Sequence, residues 1–149
     1  MFKIISMPLI LGAFLFVLMF NSQNLMSKDA VQLTVKITNT ESNNGQLVIY
    51  LHNNPDYFPK EKKKAFRVIK SKIEKNTAKI IIKDIPTGKY AIAVHHDENG
   101  NNEVDTNFLG IPNEDFGASN NAKGFMGPPS FEDASFLIEN DKTITINMD

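Results

Sequence analysis

Val31, Leu33, Val35 and Ile37 alternate with polar residues, the period-two signature of a strand with one face buried. Leu47, Ile49 and Leu51 repeat the pattern after Asn43-Asn44-Gly45, a turn signal of the hairpin kind, so these two runs are expected to pair as antiparallel strands. A third run places Ala78, Ile80 and Ile82 on one face. Pro86-Thr87-Gly88 then turns the chain into a fourth, in which Tyr90, Ile92 and Val94 share a face. Ala134, Phe136 and Ile138, then Ile144, Ile146 and Met148, give two short strands around an Asn140-Asp141 turn. Strands at this spacing, with turn residues between them, predict an all-β sandwich or barrel. Its expected core is Leu33, Val35, Leu47, Ile49, Ile80, Ile82, Ile92, Val94, Phe136 and Ile146.

The pattern is ambiguous only between Lys60 and Lys75. Ala65, Phe66, Ile69 and Ile73 fit a helical stripe, yet the same stretch also reads as a short helical turn near 60 to 65 followed by a strand, the reading adopted here. Nine Lys and Arg lie between 60 and 79 against Glu61 and Glu74. Such a charged face is best explained as a solvated edge strand protected from pairing with other chains, in preference to a patch for an anionic partner. Aromatics are not interleaved with these charges, so nucleic acid is not an expected partner.

The chain has 149 residues, 42% hydrophobic content and a formal charge of -1, which suits one globular domain without a strong electrostatic pull toward nucleic acid or membrane. No internal repeat or low-complexity stretch is visible. Lys3 precedes an apolar run over residues 4 to 20, which reads as a secretory signal peptide with a cut near Ser27 or Ala30, although no A-x-A site follows. An uncleaved anchor is the alternative, since 17 residues sit at the short end of what spans a bilayer. The expected organisation is therefore a leader over 1–27 and a single β-sandwich over 28–149, exported to the periplasm or beyond. The processed protein is expected to have no stable membrane association. Cysteine is absent, so neither a lipidated cysteine nor a disulfide framework supports the fold.

Candidate chemistry concentrates in one long ordered loop over 97–131. It opens with Asp97, Asn99, Asn101, Glu103 and Asp105, oxygen-bearing side chains at every second position, as in a loop that winds around a hard cation. These five are the candidate metal ligands, and calcium is the expected ion. The helix-loop-helix calcium pattern is only partly matched. Its glycine belongs at loop position six, where Asn102 stands, and its bidentate glutamate at position twelve, where Phe108 stands; a further ligand must come from Glu114 or Asp115. With so few carboxylates, binding on the order of 0.1 to 1 mM is expected. The competing reading has no ion: Asn and Asp side chains bond their own backbone to make successive turns.

His95 and His96 are strand neighbours and face opposite ways, so they do not share a metal without distortion. His96, at the end of the inward face, is read as a histidine that caps the core and bonds loop carbonyls, in preference to a transition-metal site with His52. Ser119, Ser130 and Ser135 lie in no nucleophile-elbow sequence. Phe108, Phe116, Phe125 and Phe131, among Gly110, Gly117, Gly124, Gly127 and Pro128-Pro129, are expected to fold over the sheet edge as a satellite core. The alternative is an aromatic-lined pocket for a small apolar or sugar-like ligand.

The G-x-Y-A turn and strand, HDENGN, the D-x-N-F-L-G-I-P run, S-N-N and G-P-P-S-F-E-D-A together resemble the bacterial family known as domain of unknown function 2141, over roughly residues 31 to 148. The resemblance implies a small exported protein with a signal peptide and an immunoglobulin-like or transthyretin-like β-sandwich of about seven strands. It brings no reaction. Asn102 replaces a glycine often found at that point of the motif, which weakens the tight-turn and ion argument. Two functions stay open: a non-catalytic binding or accessory module, with a loop ordered by calcium and a small ligand or envelope protein as partner, or an enzyme using His96 with Asp97 or Asp105 as acid and base. The first is preferred, and no residue is assigned as catalytic or as binding an organic cofactor.

Overall fold

The computed structural model describes residues 30–148, so the expected leader over 1–27 lies outside the described residues. Two sheets stack face to face. The first has three strands in the order β4 (Thr77–Pro86), β1 (Ala30–Thr38), β8 (Lys142–Asn147), and β8 runs parallel to β1. The second has the order β3 (Arg67–Ser71), β2 (Gln46–His52), β5 (Gly88–Asp97), β6 (Phe116–Ala118), with β7 (Phe136–Ile138) also paired to β5. The architecture is the expected all-β sandwich, and every expected core residue is buried between the sheets, joined by Ile37, Leu51, Ile85 and Ile138.

Two sequence readings are corrected. First, β1 and β2 do not form a hairpin: β1 pairs with β4 and β8, β2 with β3 and β5. The Asn43-Asn44-Gly45 turn instead arches from one sheet to the other. Gly45 adopts φ +63, and a Cβ there would lie 2.0 Å from the Asp97 carbonyl oxygen, so the tightness of the turn belongs to a close approach against the end of β5. Second, 97–131 is not one loop. Phe116–Ala118 forms β6 against β5, with Ala93 opposite Ala118 and His95 opposite Phe116. Gly117 makes this possible, since a Cβ would come within 2.8 Å of the Met148 sulfur and 3.0 Å of Ile146.

The ambiguous segment forms a 3-10 turn at Lys62–Lys64 and then β3. β3 is an edge strand with Val68 and Lys70 outward, consistent with a charged edge that resists pairing.

The two sheets differ in exposure. β1 and β4 alternate buried and open positions, with Ile81 half exposed on the outer face. In β2 and β5, by contrast, nearly every residue is buried on both faces. The outer face of the second sheet carries Val48, Tyr50, His52, Ala91, His95 and Asp97, all buried, beneath a coat made from residues 53–66, 98–115 and 119–135. Within that coat Phe58, Phe131 and Ala134 pack on Ala91 and Ala118. Phe58 meets His52 and Phe131 edge-on, at ring separations of 5.5 and 5.9 Å. The coat is tied to β5 by buried Ser119, whose Oγ accepts from Ile92 N at 2.9 Å and donates to the Ala134 carbonyl. Short helix α1 (Phe131–Ala134) starts at Ser130, whose Oγ accepts from Asp133 N at 3.2 Å as an N-cap.

Candidate functional site

Between the second sheet and its coat lies a cavity of about 580 Å3. Its floor is Tyr50, Ala93 and His95; Phe58 and Lys62 stand on one side, Phe116, Ala118 and Ala122 on the other, and Lys60, Lys123, Gly124 and Pro128 complete it. Among the described residues no carboxylate lines it. Ala93 of β5 and Ala118 of β6 leave the space, because alanine side chains cannot reach the facing coat.

Polar groups beneath the floor are held in place. His95 Nε2 lies 2.7 Å from the Glu114 carboxylate, both side chains almost fully buried. Its ring stacks on Phe116, with centroids 4.9 Å apart and planes within 7°. Burial alone would raise the Glu114 pKa. The N–H of Asp105, the His95 ring with its charge, and the N–H of Glu98 outweigh burial and hold it below the usual carboxylate range. The Lys62 ammonium stands 5.4 Å over the Tyr50 ring and 5.8 Å from that of Phe116. Its pKa is lowered by burial, which the charges of Glu114 and Asp97 partly oppose. Burial, and then Asp97, raise the Tyr50 pKa.

The five candidate ligands divide into two sets. Asp97 is fully buried at the end of β5; its Oδ2 accepts from Gln46 Nε2 at 2.8 Å and from Asn102 N at 3.1 Å, while Oδ1 has no hydrogen-bond partner. Burial would raise its pKa, but bonds from Gln46 and from the N–H of Asn102 and Gly100, with the charge of His95, lower it. Asn99, Asn101 and Asp105 are gathered separately: Asn99 and Asn101 donate their amides to the Asp105 carboxylate at 2.5 and 3.0 Å. Asn99 Oδ1 accepts from Asn101 N at 2.9 Å, and Asn101 Oδ1 from Glu103 N at 2.7 Å, which makes two successive Asx turns. The Glu103 side chain is exposed, and Asp115 contributes its carbonyl to His96 N. Glu114, considered from sequence only as a further ion ligand, organises this loop through Asp105 N at 3.0 Å, Glu98 N at 3.3 Å and His95. Among the described residues, no three His, Cys, Asp or Glu side chains converge as a metal centre would require.

The histidines separate as strand geometry requires. His96 points between the sheets, its Nε2 3.0 Å from the Asn44 carbonyl oxygen, the core-capping role expected for it. His52 lies on the outer face opposite Ala91, with both ring nitrogens unpartnered and its pKa lowered by burial. The expected satellite core is formed by Phe58 and Phe131, not by the whole set of loop aromatics. Phe108 and Phe125 are 94% and 96% exposed, because their turns project them away from the sheet, and Phe116 is spent on His95. Sequence reasoning missed Tyr50, Lys62, Ala93 and the His95–Glu114 pair as site residues. The available signal was the apolar run Leu47–Leu51, too continuous for a strand with one wet face.

Neither a curated protein nor a solved structure matches the chain. A family model described as an uncharacterized protein conserved in bacteria (DUF2141) matches residues 35–146, and the chain belongs to that family.

Proposed function

We propose that the protein is an exported, non-catalytic binding module whose cavity holds a small ligand with a flat apolar body and an anionic group. The observation that carries this reading is the lining: Tyr50, Phe58 and Phe116 offer aromatic surface, Lys60, Lys62 and Lys123 offer cations, and no acid competes for them. Lys62 is the anchor for the anion. Its ammonium is partly desolvated over two rings and no carboxylate among the described residues lies within ion-pair distance of it, so an anionic ligand adds a direct ion pair to the partial, longer-range compensation from Glu114 and Asp97. A sugar fits less well, because the surface that lines the space is mainly apolar. The enzyme alternative is disfavoured by placement: His96 is sealed between the sheets, whereas Asp97 lies on the opposite face of β5.

Amide-detected NMR of the processed protein with 4-phenylbutyrate, and with 4-phenylbutanol as the uncharged match, tests the assignment. Saturable shifts at Ala93, Gly117, Ala118 and Gly124 are expected, with the carboxylate bound more tightly and the preference lost in Lys62→Met. Shifts scattered over the surface, or none at several millimolar ligand, would refute it.

Calcium in the 97–105 loop is a second part of the proposal. It is supported by the partnerless, buried Oδ1 of Asp97 and by the Asp105 carboxylate on which the Asn99 and Asn101 amides converge; recruiting those amide oxygens to an ion would give up the two Asx turns they now make. Calcium at about 100 times its dissociation constant should then stabilise the protein by about 2.7 kcal/mol, and Asp97→Asn with Asp105→Asn should abolish that gain. An unchanged melting temperature at several millimolar calcium would leave the loop held by its own hydrogen bonds.

A further inference from the structure

Two turns at the rim of the cavity display large apolar side chains to solvent. The first is built on Asn107: its N–H donates to the Ile111 carbonyl at 2.8 Å, its carbonyl accepts from Gly110 N at 2.9 Å, and its Oδ1 accepts from Leu109 N and Ile111 N at 2.9 and 3.1 Å. A bridge between Thr106 and Pro112 closes the knob. Four of its N–H groups are thus satisfied internally, while Phe108, Leu109 and Ile111 are 94%, 68% and 55% exposed. The second turn brings Gly124 against the carbonyls of Gly127 and Pro128, where a Cβ would sit 2.3 Å from each oxygen, and holds Met126 at φ +55. Phe125 and Met126 at its tip are 96% and 92% exposed.

Both knobs border the same opening, since Pro112 from the first and Gly124 and Gly127 from the second line the cavity. Lys60, Lys62 and Lys123 stand on the same lining, and Lys63 and Lys64 continue the 3-10 turn that carries Lys62. Of the acidic groups in this stretch, Asp97 and Glu114 are buried and Asp105 is engaged by Asn99 and Asn101, which leaves Glu61 and Glu103 exposed and Asp115 half-buried against the five lysines. The rim therefore pairs protruding apolar tips with basic groups. That combination suits the interface of an anionic bilayer, where apolar side chains enter the headgroup–acyl boundary and lysines remain with the headgroups. A protein partner is a poorer match, because two separated, convex knobs offer no groove or flat face for a complementary core.

We propose that the cavity rim is a peripheral membrane-docking surface, in which Phe108, Leu109, Ile111, Phe125 and Met126 enter a bilayer of anionic phospholipid and place the cavity mouth on the membrane. The docking is reversible and adds to the pocket assignment without depending on it: an aqueous ligand test that fails leaves vesicle binding standing, and the converse also holds. An apolar-bodied anion is a membrane-partitioning compound, so a mouth set on the bilayer gives it a route that avoids bulk water.

Co-sedimentation of the processed protein with vesicles of phosphatidylcholine alone, and of phosphatidylcholine mixed with phosphatidylglycerol, tests the docking at low and high salt. Binding to the mixed vesicles is expected to be at least about fivefold tighter, the contribution of one lysine near an anionic surface, and to weaken with salt. The double change Phe108→Ser and Phe125→Ser should reduce it at least about tenfold, because the two rings make up about half of the inserted apolar area. Both side chains are almost wholly solvent-exposed, so the variant should keep the wild-type circular dichroism and melting temperature. Wild-type binding no stronger than that of this variant at low salt would overturn the proposal. So would light scattering that shows a dimer which the same double change dissociates, since the rim would then be an interface between copies of the chain.

Discussion

Replacing Glu114 with alanine tests the frame on which the candidate site rests. The wild-type carboxylate accepts from His95 Nε2 at 2.7 Å, Asp105 N at 3.0 Å and Glu98 N at 3.3 Å, and its side chain is almost entirely buried. The His95 bond is the most costly to lose. Removing one member of a buried pair strands the other, at about 3 to 5 kcal/mol where no water replaces it. The two backbone donors are only part-buried, and water that enters the space vacated by the side chain can satisfy them, so they add little beyond about 1 kcal/mol each. A loss of about 3 kcal/mol is therefore expected. Glu114→Gln, which keeps an acceptor oxygen in the same place, should cost clearly less. Urea unfolding reads the change as a shifted midpoint at unchanged slope. Hydrogen exchange should show the amides of Glu98 and Asp105 losing protection while those of β1 and β4 keep theirs. A loss below about 1 kcal/mol, with both amides still protected, would show that the coat is held by its apolar contacts and that Glu114 is not its anchor.

Ile92, fully buried between the sheets, should cost about 2 to 5 kcal/mol when replaced by alanine, and a loss under about 1 kcal/mol in the same urea assay would contradict its inward placement. His52 is buried with both nitrogens unpartnered and its pKa is lowered, so below the unfolded value near 6.5 the unfolded chain takes up a proton that the native state refuses; stability should fall with decreasing pH there, at up to about 1.4 kcal/mol per unit, and His52→Phe should flatten that segment of the pH–stability curve. Intact mass of the protein from the cell envelope should give a first residue between about 22 and 31, following the small-residue rule for cleavage; a full-length mass in the membrane fraction would favour the uncleaved anchor.

Alternation was enough to identify the sandwich and its core, because Leu33, Val35, Ile80 and Ile82 lie on strands whose other face is wet, and period-two burial leaves a period-two sequence. Pairing was not legible. A turn such as Asn43-Asn44-Gly45 has the same residues whether it closes a hairpin or arches between sheets, since both need a left-handed position; what distinguishes them here is the approach of Gly45 to the Asp97 carbonyl, a contact between residues far apart in sequence. β6 escaped for a related reason: three residues with a glycine at the centre carry no periodicity, and only the facing Ile146 and Met148 explain why Gly117 belongs in a strand. At the candidate site, the oxygen-rich residues 97 to 105 stood out because their chemistry is dense in one place. The cavity did not, because Tyr50, Lys62, Ala93 and Phe116 come from four separate segments.

The second sheet explains why a binding site arises on this face of the sandwich and not on the other. A strand buried on both sides needs a covering layer, and the coat supplies one without regular structure, fixed by Ser119 at one end and Glu114 at the other. Where Phe58 and Phe131 descend onto Ala91, the layers touch and the small side chain is filled. Over Ala93 no large side chain descends, so the same small-residue floor is left open and its apolar lining meets water. Hydrated apolar surface in a concave site is a driving force for association, and the cations at its edge select the sign of the ligand's charge. Filling that space from within should therefore mimic the ligand: Ala93→Leu should be tolerated by the fold, since its side chain grows into an opening and not into a packed core, yet it should abolish the phenylbutyrate-induced shifts at Gly117 and Gly124. A variant that binds as wild type does would place the ligand elsewhere on the molecule.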